Sequence, residues 1–188
     1  AKKNPVRVVE LGSGDGSLAR RMLLRWGKVA DGSRIIFVDQ SPCLETNHVE
    51  PLGRLGWEVD NQVMDVFEWF ERNASEIDLC FASLFMHHFT FEEITRLFGQ
   101  LKTKTKAFVC LEPRRHWKGL LATRALWFIR CHPVTLNDAC ISVGAGFLDK
   151  ELSRIWMQNT QTPWAIEECS TGLFSHLFSA KNLPDKSS

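Results

Sequence analysis

The chain contains no tyrosine; seven tryptophans and thirteen phenylalanines carry all of its aromatic content. It also lacks an excess of either charge, with 23 Lys and Arg against 22 Asp and Glu. A chain so balanced has no global field to draw it to nucleic acid or to an anionic membrane. A tRNA or protein substrate would call for a long basic face, which this balance does not supply. The densest basic patch is Arg114, Arg115, His116 and Lys118. It reads as the solvated start of a helix, because no second patch accompanies it. The six cysteines (43, 80, 110, 131, 140 and 169) form no CxxC pair and no zinc-type His/Cys spacing, so no metal is expected. Cys80 and Cys110 fall inside apolar runs, as buried free thiols do, which suits a reducing cytoplasm. No apolar run reaches the length of a membrane span, and no secretory signal opens the chain. The chain starts at Ala1 and meets its first strand almost at once, so a further N-terminal segment, closing the site as a lid, is expected in the native protein.

What is present is enough apolar residue, 44% of 188, for one domain spanning 1–188. Strand-like and helix-like stretches alternate. Val6–Leu11 is an apolar run, followed by a helical pattern through Leu18, Met22, Leu23 and Trp26 that Gly27 ends. Arg34–Asp39 is a continuous β-branched strand, and Pro42 suits the first turn of a helix to about Leu55. Strands follow at Trp57–Met64, Ile77–Leu84 and Lys106–Leu111, with helices at Val66–Arg72, Phe91–Leu101 and from Trp117 to Arg130. Thr90 and Glu93 have capping-box spacing. Repeated βα units imply a parallel sheet with helices on both faces. The tail departs from this: Asp149–Trp156 is helical, and Ala165–Thr171 and Leu173–Ala180 face each other across Gly172. So short a link pairs them antiparallel, which predicts a seven-stranded, mostly parallel sheet ending in a hairpin.

The most informative stretch is V-E-L-G-S-G-D-G-S-L at residues 9–18. A strand delivering Glu10, Gly12, Ser13, Gly14 and Gly16 into a helix makes a turn whose backbone a ligand can approach closely. The dinucleotide pattern G-x-G-x-x-G would require glycine at 17, but Ser17 stands there and the third glycine comes one residue early. Glu10 also fits poorly beside a pyrophosphate, whereas it would favour an ammonium group.

An acid followed by G-x-G-x-G resembles the first motif of the class I S-adenosylmethionine-dependent methyltransferases, and the resemblance covers essentially the whole chain. It implies a Rossmann-like α/β fold and S-adenosyl-L-methionine as cofactor. Asp39, closing I-I-F-V-D, stands where that family binds the ribose hydroxyls, two acceptor oxygens for a vicinal diol. Asp65, in Q-V-M-D-V-F, stands at the adenine-edge position, with Val66 and Gln40 flanking the base. Ser83 at the end of strand four completes the cofactor set. Both aspartates can also be read as caps of the following helices, although capping alone does not require both to fall at strand carboxyl ends, where doubly wound sheets bind ligands.

The acceptor is approached through D-L-C-F-A-S-L-F-M-H-H-F. The Asn/Asp-Pro-Pro-aromatic turn of amino-group methyltransferases is absent, as are the Pro-Cys nucleophile of the RNA-cytosine type and the carboxylates of metal-dependent catechol types. Ser83 through Phe89 is similar to the L-H-H stretch of small-molecule methyltransferases. His87 or His88 can take a proton from a hydroxyl near neutral pH, His87 being favoured; either can instead cap the next helix. Glu112 can orient a hydroxyl or pair with an arginine. His116, His132 and His176 read as structural. The runs C-L-E-P-R-R (110–115), N-D-A-C-I-S-V-G-A-G-F (137–147) and G-L-F-S-H-L-F (172–178) are similar to bacterial small-molecule methyltransferases found near type III polyketide synthase genes, from which the chain departs at Asn137 and Gly144. The helix at 120–129 is apolar almost all round, as a buried helix, the wall of a lipophilic pocket or a homodimer interface would be.

These features together predict a cytoplasmic methyltransferase that O-methylates a small phenolic or polyketide-like molecule, aromatic and lipophilic. C-methylation of an activated ring or enol carbon, and a non-catalytic cofactor-binding subunit, remain as alternatives.

Overall fold

The structure is a computed structural model, and it describes residues 4–115, 146–158, 160, 163–172 and 174–183. The expected helix from Trp117, together with His116, Lys118, Cys131, His132, Asn137, Cys140 and Gly144, lies outside the described residues.

The strands are β1 (Arg7–Leu11), β2 (Arg34–Asp39), β3 (Glu58–Val63), β4 (Leu79–Ser83), β5 (Ala107–Pro113), β6 (Trp164–Thr171) and β7 (Ser175–Asn182). They form one seven-stranded sheet in the order β3-β2-β1-β4-β5-β7-β6. The pairs β1–β2, β1–β4 and β2–β3 are parallel and β6–β7 is antiparallel, so the sheet is mixed as predicted. Between them run α1 (Ser17–Trp26), α2 (Thr46–Gly53), α3 (Val66–Arg72), α4 (Phe91–Lys104) and α5 (Glu151–Met157). The order turns back at β1, with β2 on one side and β4 on the other, and strand carboxyl ends at such a reversal are where open α/β sheets hold ligands.

The chain packs as two compact units, Ala1–Ser83 with Gly99–Phe108, and Leu84–Phe98 with Val109–Ser188. In the first, β1 and β2 supply the fully buried Val8, Val9, Leu11, Ile35 and Phe37. Runs buried on both faces are what central parallel strands require. By contrast β3 reads E-V-D-N-Q-V with no buried residue, as an edge strand should. In the second unit the core is aromatic. Trp156 meets Phe98 edge-on at 4.8 Å and Trp164 at 5.1 Å, while Phe98 stacks on Phe178 at 5.6 Å. These are the geometries that ring quadrupoles favour. Cys80 and Cys110 are both fully buried.

Local signals place several boundaries. Gly27 ends α1 at φ +84, and its N–H returns to the Leu23 carbonyl. The Thr90 N–H meets the Glu93 carboxylate at 2.8 Å, and the Thr90 hydroxyl accepts the Glu93 N–H at 3.3 Å, completing the capping box. The second helix differs from expectation: it starts at Thr46 rather than Pro42, and Pro51 lies inside it. The intervening residues turn back instead, with the Glu45 N–H donating to the Asp15 carbonyl at 3.2 Å.

Candidate functional site

In the first unit, the turn after β1 is built by hydrogen bonds that leave little freedom. The Gly12 and Ser13 N–H groups both donate to the Val38 carbonyl, at 2.8 and 3.4 Å, so the chain stays tied to β2 until it turns. Gly12, Gly14 and Gly16 then adopt φ of +65, +50 and +79, a left-handed series that costs glycine little and other residues more. The Gly16 N–H closes the turn on the Ser13 carbonyl at 2.9 Å. A Cβ on Gly16 would stand 2.6 Å from Leu44 Cδ1, whereas one on Gly14 would meet nothing within 4 Å. Packing therefore fills the space at Gly16, while the backbone at Gly14 adjoins open space that a ligand can use.

The three acids at the ends of β1, β2 and β3 have different environments. Asp39 Oδ2 accepts the Gly14 N–H at 2.9 Å and Oδ1 the Ser41 N–H at 2.8 Å. It thus holds the glycine turn against β2 and keeps a further lone pair on each oxygen. It caps no helix. Asp65 does: its Oδ1 accepts the Phe67 and Glu68 N–H groups at 2.8 and 3.3 Å, while Oδ2 accepts from Gln40 Nε2 at 2.7 Å. Gln40 and Asp65 are thereby brought together, and Val66 is buried in the first turn of α3. Glu10 is buried, and its Oε2 has no hydrogen-bond partner among the described residues. Burial first, and the charges of Asp15 and Asp39 next, push its carboxyl up to about 8. Three residues on, the Ser13 hydroxyl is also buried and unpartnered among the described residues. An acid kept neutral by burial and neighbouring carboxylates ionises when a cation arrives, so this corner is suited to positive charge.

In the second unit, β5 presents Glu112, fully buried, beneath the short 3₁₀ turn Met86–His88. Four N–H groups converge on its carboxylate. Oε1 accepts from the Phe85 and Met86 backbones at 3.0 and 2.9 Å, and Oε2 from the His87 backbone at 3.3 Å and from His87 Nδ1 at 2.8 Å. A carboxylate offers about four acceptor positions, so Glu112 is fully occupied. Its partner is His87, not an arginine. A carboxylate accepts only, which places the His87 proton on Nδ1 and leaves Nε2 as the basic nitrogen. The His88 ring lies 4.1 Å from that of His87, and burial, then the neighbouring imidazole, hold it below its ordinary pKa against the pull of Glu112. Ser83 ends β4. Among the described residues no group of His, Cys, Asp and Glu has the geometry to hold a metal ion.

No protein-family model and no curated protein matches the chain. Solved structures do match. Magnesium protoporphyrin IX methyltransferase (ChlM) from Synechocystis PCC 6803, solved with bound SAH, aligns with a TM-score of 0.58 at 15% identity, over 95% of this chain and 74% of that one. The pyocyanin biosynthetic protein PhzM aligns with a TM-score of 0.62 at 15% identity, over 97% and 52%. An O-methyltransferase family protein from Burkholderia thailandensis aligns with a TM-score of 0.60 at 16% identity, over 96% and 52%. The fold is the Rossmann-like methyltransferase fold. The chain spans about three quarters of the first of these proteins and about half of the other two.

Within this fold, three residues near the candidate site carry no signal in the sequence. His48 donates from α2 toward the Asp15 carbonyl at 2.8 Å, tying the glycine turn to a helix 33 positions away. Asp15, one residue before the N-cap Gly16, accepts the Ser17 N–H on its Oδ1 at 2.9 Å. Leu84, directly after β4, has φ +54 and a side chain left 60% exposed. A left-handed leucine is costly, and such strain concentrates at functional sites.

Proposed function

We propose that this chain is a methyltransferase that uses S-adenosyl-L-methionine to O-methylate a small phenolic or polyketide-like molecule. The carrying observation is the buried Glu112 that fixes His87 with Nδ1 as donor and Nε2 as base. That is the arrangement a hydroxyl nucleophile needs and a bare helix cap does not. The first unit fits the cofactor: the orphaned Glu10 oxygen suits an ammonium group, the spare lone pairs of Asp39 a ribose diol, and Asp65 with Gln40 an adenine edge. When bound, the cofactor supplies an electrophilic methyl on sulfonium. Gly12, Ser13, Gly14 and Gly16 would hold it through their backbone, and Val66 and Ser83 complete the set. The ChlM structures, with SAH in one and SAM in another, lend the reading support by likeness of fold.

The chain's own residues then have distinct tasks. His87 Nε2 accepts the acceptor's hydroxyl proton as the oxygen attacks. Glu112 does not touch the acceptor; it positions the imidazole and stabilises the charge that develops on it, as the acid of a hydrolase triad does. His88, favoured as a neutral ring, packs beside His87. The test is transfer of labelled methyl from S-adenosylmethionine to a panel of phenols and pyrones. His87→Ala is expected to lower kcat by about 10²- to 10⁴-fold with cofactor affinity unchanged, and Glu112→Gln to lower it in the same way. Undiminished turnover in His87→Ala would remove the base, and binding of NAD in place of the adenosyl compounds would remove the methyltransferase reading altogether.

A further inference from the structure

A cavity of about 460 Å³ lies wholly within the second unit and begins one residue past His88. Phe89, Phe91, Ile94, Phe147 and Ile155 form its apolar wall. Phe91 is 52% exposed, a large aromatic left open to solvent where an apolar ligand would cover it. The polar part of the lining is Arg115, Glu151, Arg154 and Gln158. Among the described residues its charges do not cancel. Glu151 is occupied twice, by an ion pair with Arg115 through Oε1 and by the Leu148 N–H at 3.0 Å through Oε2. Arg154 has no carboxylate partner among the described residues, and a helix turn fixes its place, its N–H donating to the Lys150 carbonyl at 3.0 Å. An apolar cleft of this size with one uncompensated cation at its lining has the composition of a site for an amphiphile carrying a single negative group.

We infer that this pocket binds an aromatic or alkyl-aromatic molecule bearing one anionic group, whose apolar body packs on Phe89, Phe91, Phe147 and Ile155 and whose anion pairs with Arg154. The inference rests on the proposed function, since it names the class of acceptor: a phenol that also carries a carboxylate or phosphate. Among the described residues the Arg115–Glu151 pair makes the rest of the charged lining electrically neutral, so their balance favours a ligand with one anion over one with two. A carboxylate and a phosphate share the chemistry that Arg154 recognises, and direct comparison separates them.

The experiment is calorimetric titration of the full chain with 2-naphthoate, 2-naphthyl phosphate and the neutral 2-naphthamide, beside S-adenosylmethionine on the same preparation. One of the two anions is expected to bind about three- to tenfold more tightly than the amide, the range for a partly desolvated charge-assisted pair. Whichever anion does so identifies the head group. Arg154→Met keeps the apolar stem and is expected to abolish that preference while leaving amide binding unchanged. Phe147→Ala is expected to weaken anion and amide alike. Equal binding of acids and amide, a preference that survives Arg154→Met, or no binding of any of the three would overturn the inference. Naphthoate binding without S-adenosylmethionine binding would instead sink the methyltransferase reading and leave the pocket assignment standing.

Discussion

Glu10 makes the sharpest single-residue prediction. Its carboxyl is raised from 4.5 to about 8, so between those values the unfolded chain ionises it and the folded chain does not. Folding stability from this group is therefore full below pH 4.5 and falls as pH rises toward 8. The loss is on the order of a few kcal/mol, at about 1.4 kcal/mol per unit. Denaturant melts of Glu10→Gln are expected to show a flatter slope across that interval than the native chain. Under the proposed function the same residue would link the cofactor to protons. A ligand ammonium beside Glu10 favours its carboxylate, so S-adenosylmethionine is expected to release a proton on binding near neutral pH. Calorimetry in buffers of different ionisation enthalpy reads this directly, and Glu10→Gln should abolish it. Under the same proposal Asp39→Ala is expected to weaken S-adenosylmethionine binding on the order of 10- to 100-fold, with the loss divided between the proposed ribose contacts and the slackened Gly14 N–H.

Among the elements, the glycine turn and the C-terminal hairpin can be separated by substitution. Gly14→Ala and Gly16→Ala both force a residue with a side chain into the left-handed region, at about 1 kcal/mol each. Only Gly16→Ala also displaces Leu44, through the contact at 2.6 Å. Gly16→Ala is thus expected to lower Tm further, and Gly14→Ala to lower cofactor affinity further because its methyl enters open space; equal effects on both readouts would remove the distinction. In the hairpin, Glu168 on β6 accepts the Leu152 and Ser153 N–H groups at 3.2 and 2.8 Å and the His176 Nε2 at 2.7 Å. It caps α5 from outside the helix and joins it to both strands. Glu168→Ala leaves two buried donors and one part-buried donor without this acceptor and is expected to cost about 3–5 kcal/mol in denaturant melts.

For the whole molecule the pH profile is shaped by acids of opposite sense, Glu10 on one side and Glu168 on the other, with Asp15 and Asp78 also held below their ordinary values. Burial pushes Glu168 up, but its His176, Ser153 and Leu152 donors outweigh that and hold it below 4.5. Its contribution is present above its unfolded value and is lost as pH falls through the native one. Glu10 erodes stability in the other direction, from 4.5 to about 8. The free chain is expected to be most stable in the mildly acidic range just above 4.5, and saturating cofactor to extend that maximum toward neutrality. Thermal melts across pH, with and without S-adenosylmethionine, check both statements. None of the described helices is long and apolar enough to cross a membrane.

The sequence by itself determined the elements and the chemistry available at their ends. Arg34–Asp39 matches β2 residue for residue because a β-branched run between polar ends has one good solution. The glycine turn was legible because left-handed backbone selects glycine locally. Glu10, Asp39 and Asp65 were legible because strand ends are positions a one-dimensional pattern can count. Only the tertiary structure decided what those groups face. That Glu112 takes His87 as its partner depends on residues 25 positions apart in sequence meeting across the second unit. That β7 rather than β6 adjoins β5 is equally nonlocal, since either strand of a hairpin can pair inward. The orphaned oxygen of Glu10, the tie of His48 to the glycine turn and the unbalanced charge of Arg154 share this origin. Each is a property of what lies nearby in space, and sequence order fixes neighbours only along the chain.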